Sequence, residues 1–182
     1  MSKCAMIEKA PPYFVLTGPP GVGKTTLLEA LPALVRTVPE AARRVLHQAR
    51  QTGAPATGDQ DPALFVQRML ELACADYDAA LGLTVFDRAI PDLLAFCAHY
   101  ELEDISVRQA LESRPYRSPV FYLPAWQEIY QNDEERKLDF AGTVAFGQLI
   151  QTAYRSSGYE LIEVPTGSID ARAAFIGQHL GV

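Results

Sequence analysis

Apolar positions along this chain fall into two rhythms, short β-branched or aromatic runs and longer stretches with helical spacing, and the two alternate. Tyr13, Phe14, Val15, Leu16 and Thr17 read as a first strand, followed by a Gly/Pro loop and a helix over 25–30 that Pro32 stops. A second short strand is predicted at 35–38, with Pro39 in the first helical position and Glu40 in the first turn of a helix to about Arg50. Residues 51–60, with two Gly and one Pro, read as loop. Asp61 and Pro62 then pair a cap with a first-position proline, opening a helix that turns Phe65, Met69, Leu72 and Ala73 to one face and ends near 81–82. A strand follows at 83–86, helices at 91–100 and 105–113, a strand at 120–123, a long helix at 138–156 and a fifth strand at 161–164. Ser168, with Asp170 two residues on, caps a last helix to about Leu180. Five strands separated by helices predict an α/β fold with a mostly parallel sheet.

Length narrows this to one compact domain over residues 1–182, with room for a small moving subdomain. Sixteen basic against 22 acidic side chains give a formal charge of −6 without a Lys/Arg run, which argues against duplex nucleic acid or an anionic membrane as partner. A small molecule is the expected partner. No stretch has the length of a membrane span and the opening residues lack the apolar segment of a secretory signal, so a cytoplasmic protein is expected. Cys4, Cys74 and Cys97 match no metal or redox spacing and are expected as reduced thiols, the latter two as core-side helix fillers. His47, His99 and His179 are isolated in sequence and are assigned no role.

The chemistry sits after the first strand. Gly18, Gly21, Val22, Gly23, Lys24, Thr25 and Thr26 lie in GPPGVGKTT, which satisfies GxxxxGK(S/T) between a strand and a helix. Glycine allows successive backbone N–H groups to face phosphate oxygens, the helix start adds positive potential, Lys24 reaches the terminal phosphates and Thr25 offers its hydroxyl to magnesium. Lys24 is the only lysine between Lys9 and Lys137. Asp87 closes the third strand where phosphate-loop proteins place a magnesium-orienting carboxylate, so Thr25 and Asp87 are the metal candidates. Hydrolytic motors commonly follow that Asp with a Glu that activates water, and here Arg88 follows it. No NKxD guanine motif and no LSGGQ-like signature occur.

With the phosphate loop, the segments VPEAAR (38–43), FDRAIPD (86–92), PAWQEIY (124–130), DEER (133–136) and GYELIEVP (158–165) resemble P-loop kinases of the nucleoside and nucleotide kinase type. Within them the chain resembles a family of small bacterial AAA-family or predicted ATPases with a kinase-like fold. The resemblance implies a P-loop NTPase fold, a lid within 128–140, ATP with Mg2+, and a nucleoside- or nucleotide-like acceptor. By the same resemblance Glu40 is the base that takes the acceptor proton, Asp87 and Arg88 serve metal and phosphates, and Arg136 is the lid arginine. The loop 165–168 would wrap the purine, favouring ATP over GTP.

Each assignment has a plainer alternative. Glu40 suits a first-turn carboxylate paired with Arg43 or Arg44. Arg88 suits a surface arginine, Asp92 a helix-start acid, Trp126 a packing residue and 131–137 a solvated charge run. A nucleotide-dependent ATPase or GTPase switch acting through a partner is the alternative to phosphoryl transfer, and nothing in the sequence identifies the acceptor or the oligomeric state.

Overall fold

The computed structural model describes residues 7, 9–129 and 139–182; Cys4, Arg136 and most of the 128–140 lid candidate lie outside these residues. Five strands, β1 (Tyr13–Thr17), β2 (Arg36–Val38), β3 (Thr84–Asp87), β4 (Val120–Tyr122) and β5 (Leu161–Glu163), form one sheet. Their order is β2-β3-β1-β4-β5 and every pairing is parallel. Such a sheet must be covered on both faces, because its helical crossovers lie there. Alternation along the strands sorts the side chains accordingly. Tyr13, Val15, Phe86, Val120 and Tyr122 enter one core, while Leu16, Val85 and Phe121 enter the other.

Among the described residues seven helices supply the cover: α1 (Lys24–Glu29), α2 (Ala41–Thr52), α3 (Pro62–Ala79), α4 (Asp92–His99), α5 (Ile105–Ser113), α6 (Phe140–Ser156) and α7 (Ile169–Leu180). Helices α1 and α7 pack the Leu16 face, through Leu27, Leu28, Ala173 and Ile176, and α2 to α6 pack the other. Two caps stand as read from sequence. Asp61 accepts from Leu64 N at 2.9 Å and Ser168 from Ala171 N at 3.3 Å. A third was missed: Asp139 accepts from Gly142 N at 2.7 Å and starts α6. Cys97 is buried, Cys74 packs half-buried against the core, and both are free thiols. Among the described residues no helix is long and apolar enough to cross a membrane.

Element ends depart from expectation where side chains are engaged elsewhere. Helix α2 starts at Ala41 rather than Pro39, because the Glu40 carboxylate binds arginines instead of capping. It runs on to Thr52 and ends where Gly53 takes the left-handed conformation, so the loop is shorter than 51–60.

The order of the strands puts β1 between β3 and β4, and the chain leaving β1 enters the crevice at the strands' carboxyl ends. At that exit Gly18 has φ of 145°, and a Cβ there would stand 2.2 Å from the Leu123 carbonyl oxygen after β4. Only glycine allows this approach. Gly18→Ala should therefore lower stability by roughly 2–4 kcal/mol through combined strain and clash. Gly82→Ala, at φ of 68° with no neighbour within 4 Å, should cost only about 1 kcal/mol. Urea denaturation of the two variants checks the difference; equal losses would contradict it.

Candidate functional site

The loop after β1 folds on its glycines. Gly21 and Gly23 have φ of 83° and 79°, and Gly23 stands as the left-handed residue before α1. This turns the loop so that Lys24 begins the helix facing inward: it is buried, and its Nζ donates to the carbonyls of Gly18 at 3.1 Å and Pro19 at 3.0 Å. Burial pushes the Lys24 ammonium down to about 8, with Arg88 lowering it further against the raising charges of Asp87, Glu40 and Asp92. Val22 is buried beneath the loop, whereas Thr25 and Thr26 lie on the exposed side of the first turn.

Parallel pairing of β1 with β3 places Asp87 beside Leu16, one strand from the loop. Thr25 Oγ1 donates to Asp87 Oδ2 at 3.4 Å, while Asp87 Oδ1 is buried without a hydrogen-bond partner. Burial pushes the Asp87 carboxyl up to about 6 against the lowering charge of Lys24, and Glu40 adds to the rise. A buried orphan carboxylate oxygen next to a hydroxyl at the head of the phosphate loop is a fit for magnesium, which takes one or two protein oxygens and fills its other positions with phosphate and water. Among the described residues no cluster of three or more His, Cys, Asp or Glu offers a cage made of protein alone.

The next residue is no surface arginine. Arg88 is buried, has φ of 65°, and its N–H donates to Leu16 O at 3.0 Å, extending the β1–β3 ladder by one bond. A left-handed arginine is an uncommon conformation held only where surroundings enforce it. Here they do so through two carboxylates: Nε donates to Glu40 Oε1 at 2.8 Å and an Nη to Asp92 Oδ1 at 3.3 Å. Asp92 is the enforcing hub. It also accepts from the Thr17 hydroxyl at 2.5 Å, the Ala89 N–H at 2.8 Å and the Tyr154 hydroxyl at 2.5 Å. The sequence showed it only as a helix-start acid, and no local spacing foretells Thr17, 75 residues away, or Tyr154, 62 away.

Glu40, two residues past the end of β2, binds Arg88 at 2.8 Å and Arg43 at 3.3 Å; Arg44 turns away to Asp76. Burial alone would raise the Glu40 carboxyl, but the charges of Arg88, Lys24 and Arg43 and the Arg88 hydrogen bond hold it below the usual carboxylate range. Loop, Asp87, Arg88 and Glu40 thus converge from three strand ends.

Beside them opens a cavity of about 300 Å³, bounded by Lys24, Glu40, Arg88 and Pro20 at one end. Phe65, Phe96, His99, Tyr100 and Phe146 give it an aromatic wall, with the Phe146 centroid 5.9 Å from Arg88 Cζ. His99, assigned no role from sequence, is part of this wall. On the other side of the loop, buried Arg172 of α7 donates to Val22 O at 3.4 Å and lies 5.7 Å from the Trp126 ring centroid, so Trp126 packs on a residue that braces the phosphate loop. Residues 165–167 are exposed, and Arg136 falls outside the described residues.

A family model described as an AAA domain matches residues 13–172. Among curated proteins none matches this sequence. Solved structures share the fold at low identity. NadR protein in complex with NR aligns at TM-score 0.68 and 16% identity over 97% of this chain, which spans about half, 54%, of that one. A shikimate kinase from Acinetobacter baumannii in complex with shikimate aligns at 0.61 and 17%, over 98% of this chain and 97% of that one. A thymidylate kinase from Ehrlichia chaffeensis aligns at 0.58 and 14%, over 95% of this chain and all of that one. The fold is that of the P-loop kinases.

Asp87 yields a test free of ligands. Its carboxyl titrates higher in the folded chain, about 6, than the ordinary 3.8. The folded state therefore binds an extra proton between those values, so ionised Asp87 is destabilising at neutral pH and less so as pH falls through 6. In nucleotide-free protein Asp87→Asn should raise stability at pH 7.5 by on the order of 1–3 kcal/mol, about 2–4 °C in Tm per kcal/mol, and by less at pH 5. Thermal unfolding at the two pH values checks it; a lower Tm in the variant at pH 7.5 would contradict it.

Proposed function

The chain belongs to the AAA domain family, and we propose that it is an ATP-dependent phosphotransferase which moves the terminal phosphoryl group of ATP to a hydroxyl of a small molecule. One observation carries this reading: the 300 Å³ cavity opens between the buried Lys24 and the ion-paired Glu40 and Arg88. A protein that transfers phosphate only to water has no need of such a cavity beside the loop. A kinase needs one to hold the acceptor in line and keep water away.

In the proposed reaction the phosphate loop N–H groups and the Lys24 ammonium hold the β- and γ-phosphates. Lys24 must leave the Gly18 and Pro19 carbonyls to do so, an exchange of neutral acceptors for charged ones that favours the bound state. Thr25 and Asp87 would hold magnesium, which supplies neutralisation of charge on the phosphates. The acceptor oxygen attacks the γ-phosphorus, its proton passes to a Glu40 carboxylate oxygen, and the bond from the γ-phosphorus to the β,γ-bridging oxygen breaks, releasing ADP. Glu40 enters the reaction ionised, as its depressed pKa requires. Arg88 fixes its direction and adds positive charge near the transferred group.

Glu40→Gln should leave ATP affinity within about twofold of wild type and reduce transfer by on the order of 10²–10⁴. Lys24→Ala should remove most nucleotide binding, by deleting the charge at the terminal phosphates. Calorimetry with ATP and with GTP, alongside mass spectrometry of acceptor mixtures, reads both effects. ATP hydrolysis to water alone, unaffected by Glu40→Gln, would favour the switch reading instead.

A further inference from the structure

Arg172 is a buried charge that takes no part in the proposed reaction. It lies in the first turn of α7, is 5% exposed, and among the described residues no carboxylate pairs with it. Burial pushes its guanidinium below the usual range, and no opposing charge offsets the shift. Its Nε–H is buried without an acceptor. The Trp126 ring covers it at 5.7 Å, and the nearby Glu128 carboxylate accepts from the indole N–H at 3.2 Å rather than from the guanidinium. Helix α7 fixes the residue in place, because Ser168 caps the helix and Ala173 and Ile176 anchor it in the core. A buried guanidinium without a matching anion costs stability.

What it touches is the phosphate loop. An Nη of Arg172 donates to the Val22 carbonyl oxygen at 3.4 Å, across 150 residues of chain. The Val22 side chain is buried in the same core as α7, which fixes one end of the Val22–Gly23 peptide. That peptide is planar and trans, so its C=O and N–H point in opposite directions and the Gly23 N–H is turned away from α7. Among the described residues this N–H has no acceptor. The other end of the peptide is loosely held by its own chain: Gly23 has φ of 79°, and glycine takes positive and negative φ about equally. A flipped peptide would aim its carbonyl oxygen at incoming phosphates and its N–H at the guanidinium. Arg172 penalises that flip, because the flipped form would take from a buried cation the acceptor it has.

We propose that Arg172 is a positioning residue for nucleotide binding: it holds the Val22 carbonyl so that the Gly23 N–H faces the phosphates of a nucleoside di- or triphosphate, and those phosphates, one peptide away, balance its unmatched charge. A carbonyl bound by a cation also polarises its peptide, which makes the Gly23 N–H a stronger donor. The inference rests on the nucleotide-binding half of the phosphotransferase reading and is independent of the acceptor.

The test compares Arg172→Met and Arg172→Lys with the parent full chain. Calorimetry reads MgADP and MgATP affinity, thermal unfolding reads the nucleotide-free fold, and the NMR shift of the Gly23 amide proton reads the donor itself. Arg172→Met should weaken both nucleotides by roughly 10- to 100-fold, the range of one lost charge-assisted hydrogen bond, and should reduce the downfield shift of the Gly23 amide on adding MgADP. Its nucleotide-free Tm should hold or rise, because an unmatched buried charge has been removed. Arg172→Lys keeps a charge and a donor for this single contact and should bind within about threefold of the parent. Unchanged affinity in Arg172→Met would overturn the proposal. A lower nucleotide-free Tm, or failure to fold, would assign Arg172 to packing and overturn it too. An affinity loss with the Gly23 shift intact would place Arg172 at the base instead of the loop, again overturning it. In all three cases nucleotide binding by the parent leaves the phosphotransferase reading standing, whereas a parent that binds neither MgADP nor MgATP would overturn both.

Discussion

A single buried guanidinium holds the site together. Arg88 sits at the end of β3 in a left-handed conformation and bridges Glu40 after β2 to Asp92 at the head of α4. Asp92 in turn takes the hydroxyl of Thr17 at the end of β1 and that of Tyr154 from α6. Three strand ends and two helices therefore meet through the Arg88–Asp92 pair. Charges taken out of water are costly unless each is matched, and in this network only Asp87 keeps a buried oxygen, Oδ1, without a partner. Such a network gives direction more than net stability: it allows one arrangement of Glu40 and penalises others.

Asp87 is the exception that gives the network a use. Lys24, Arg88, Glu40, Asp87 and Asp92 bring three carboxylates against two cations into one buried place. Burial raises the Asp87 carboxyl, Glu40 adds to the rise, and Oδ1 is left unpartnered. On the proposed reading, a divalent cation arriving with phosphates would give Oδ1 its missing partner. The nucleotide-free site is thus poised against its own stability, which is common where a ligand finishes the electrostatics.

Much of this was legible along the chain, and the limit is physical. Strand and helix alternation, the phosphate loop and Asp87 are local patterns, because period, glycine torsions and a strand-ending acid act within a few residues. The sheet order confirmed that β3 lies beside β1, as a magnesium-orienting acid there needs. Arg88 as a buried strut, Asp92 as a hub and the ring wall depend instead on which distant elements pack together. Phe96, His99 and Phe146 sit at helical spacing that serves a core equally well, and only the α4 to α6 packing turns them toward a cavity. Glu40 shows both kinds at once. Its pairing with Arg43 follows from spacing along the helix start, while its stronger bond to Arg88 crosses 48 residues. Starting α2 at Pro39 missed this, because propensity cannot register a side chain already engaged elsewhere.

The site depends on the Arg88 strut, and a double-mutant cycle measures that strut independently of the acceptor. Arg88→Met, Asp92→Asn and the double variant are compared with the parent chain by urea denaturation at pH 7.5. Each single change leaves a buried polar group without its partner, so each should be costly, and the double should cost little more than the worse single, giving a coupling on the order of 2 kcal/mol. Losses that add to within about 0.5 kcal/mol would show that the two residues act independently and would contradict the account.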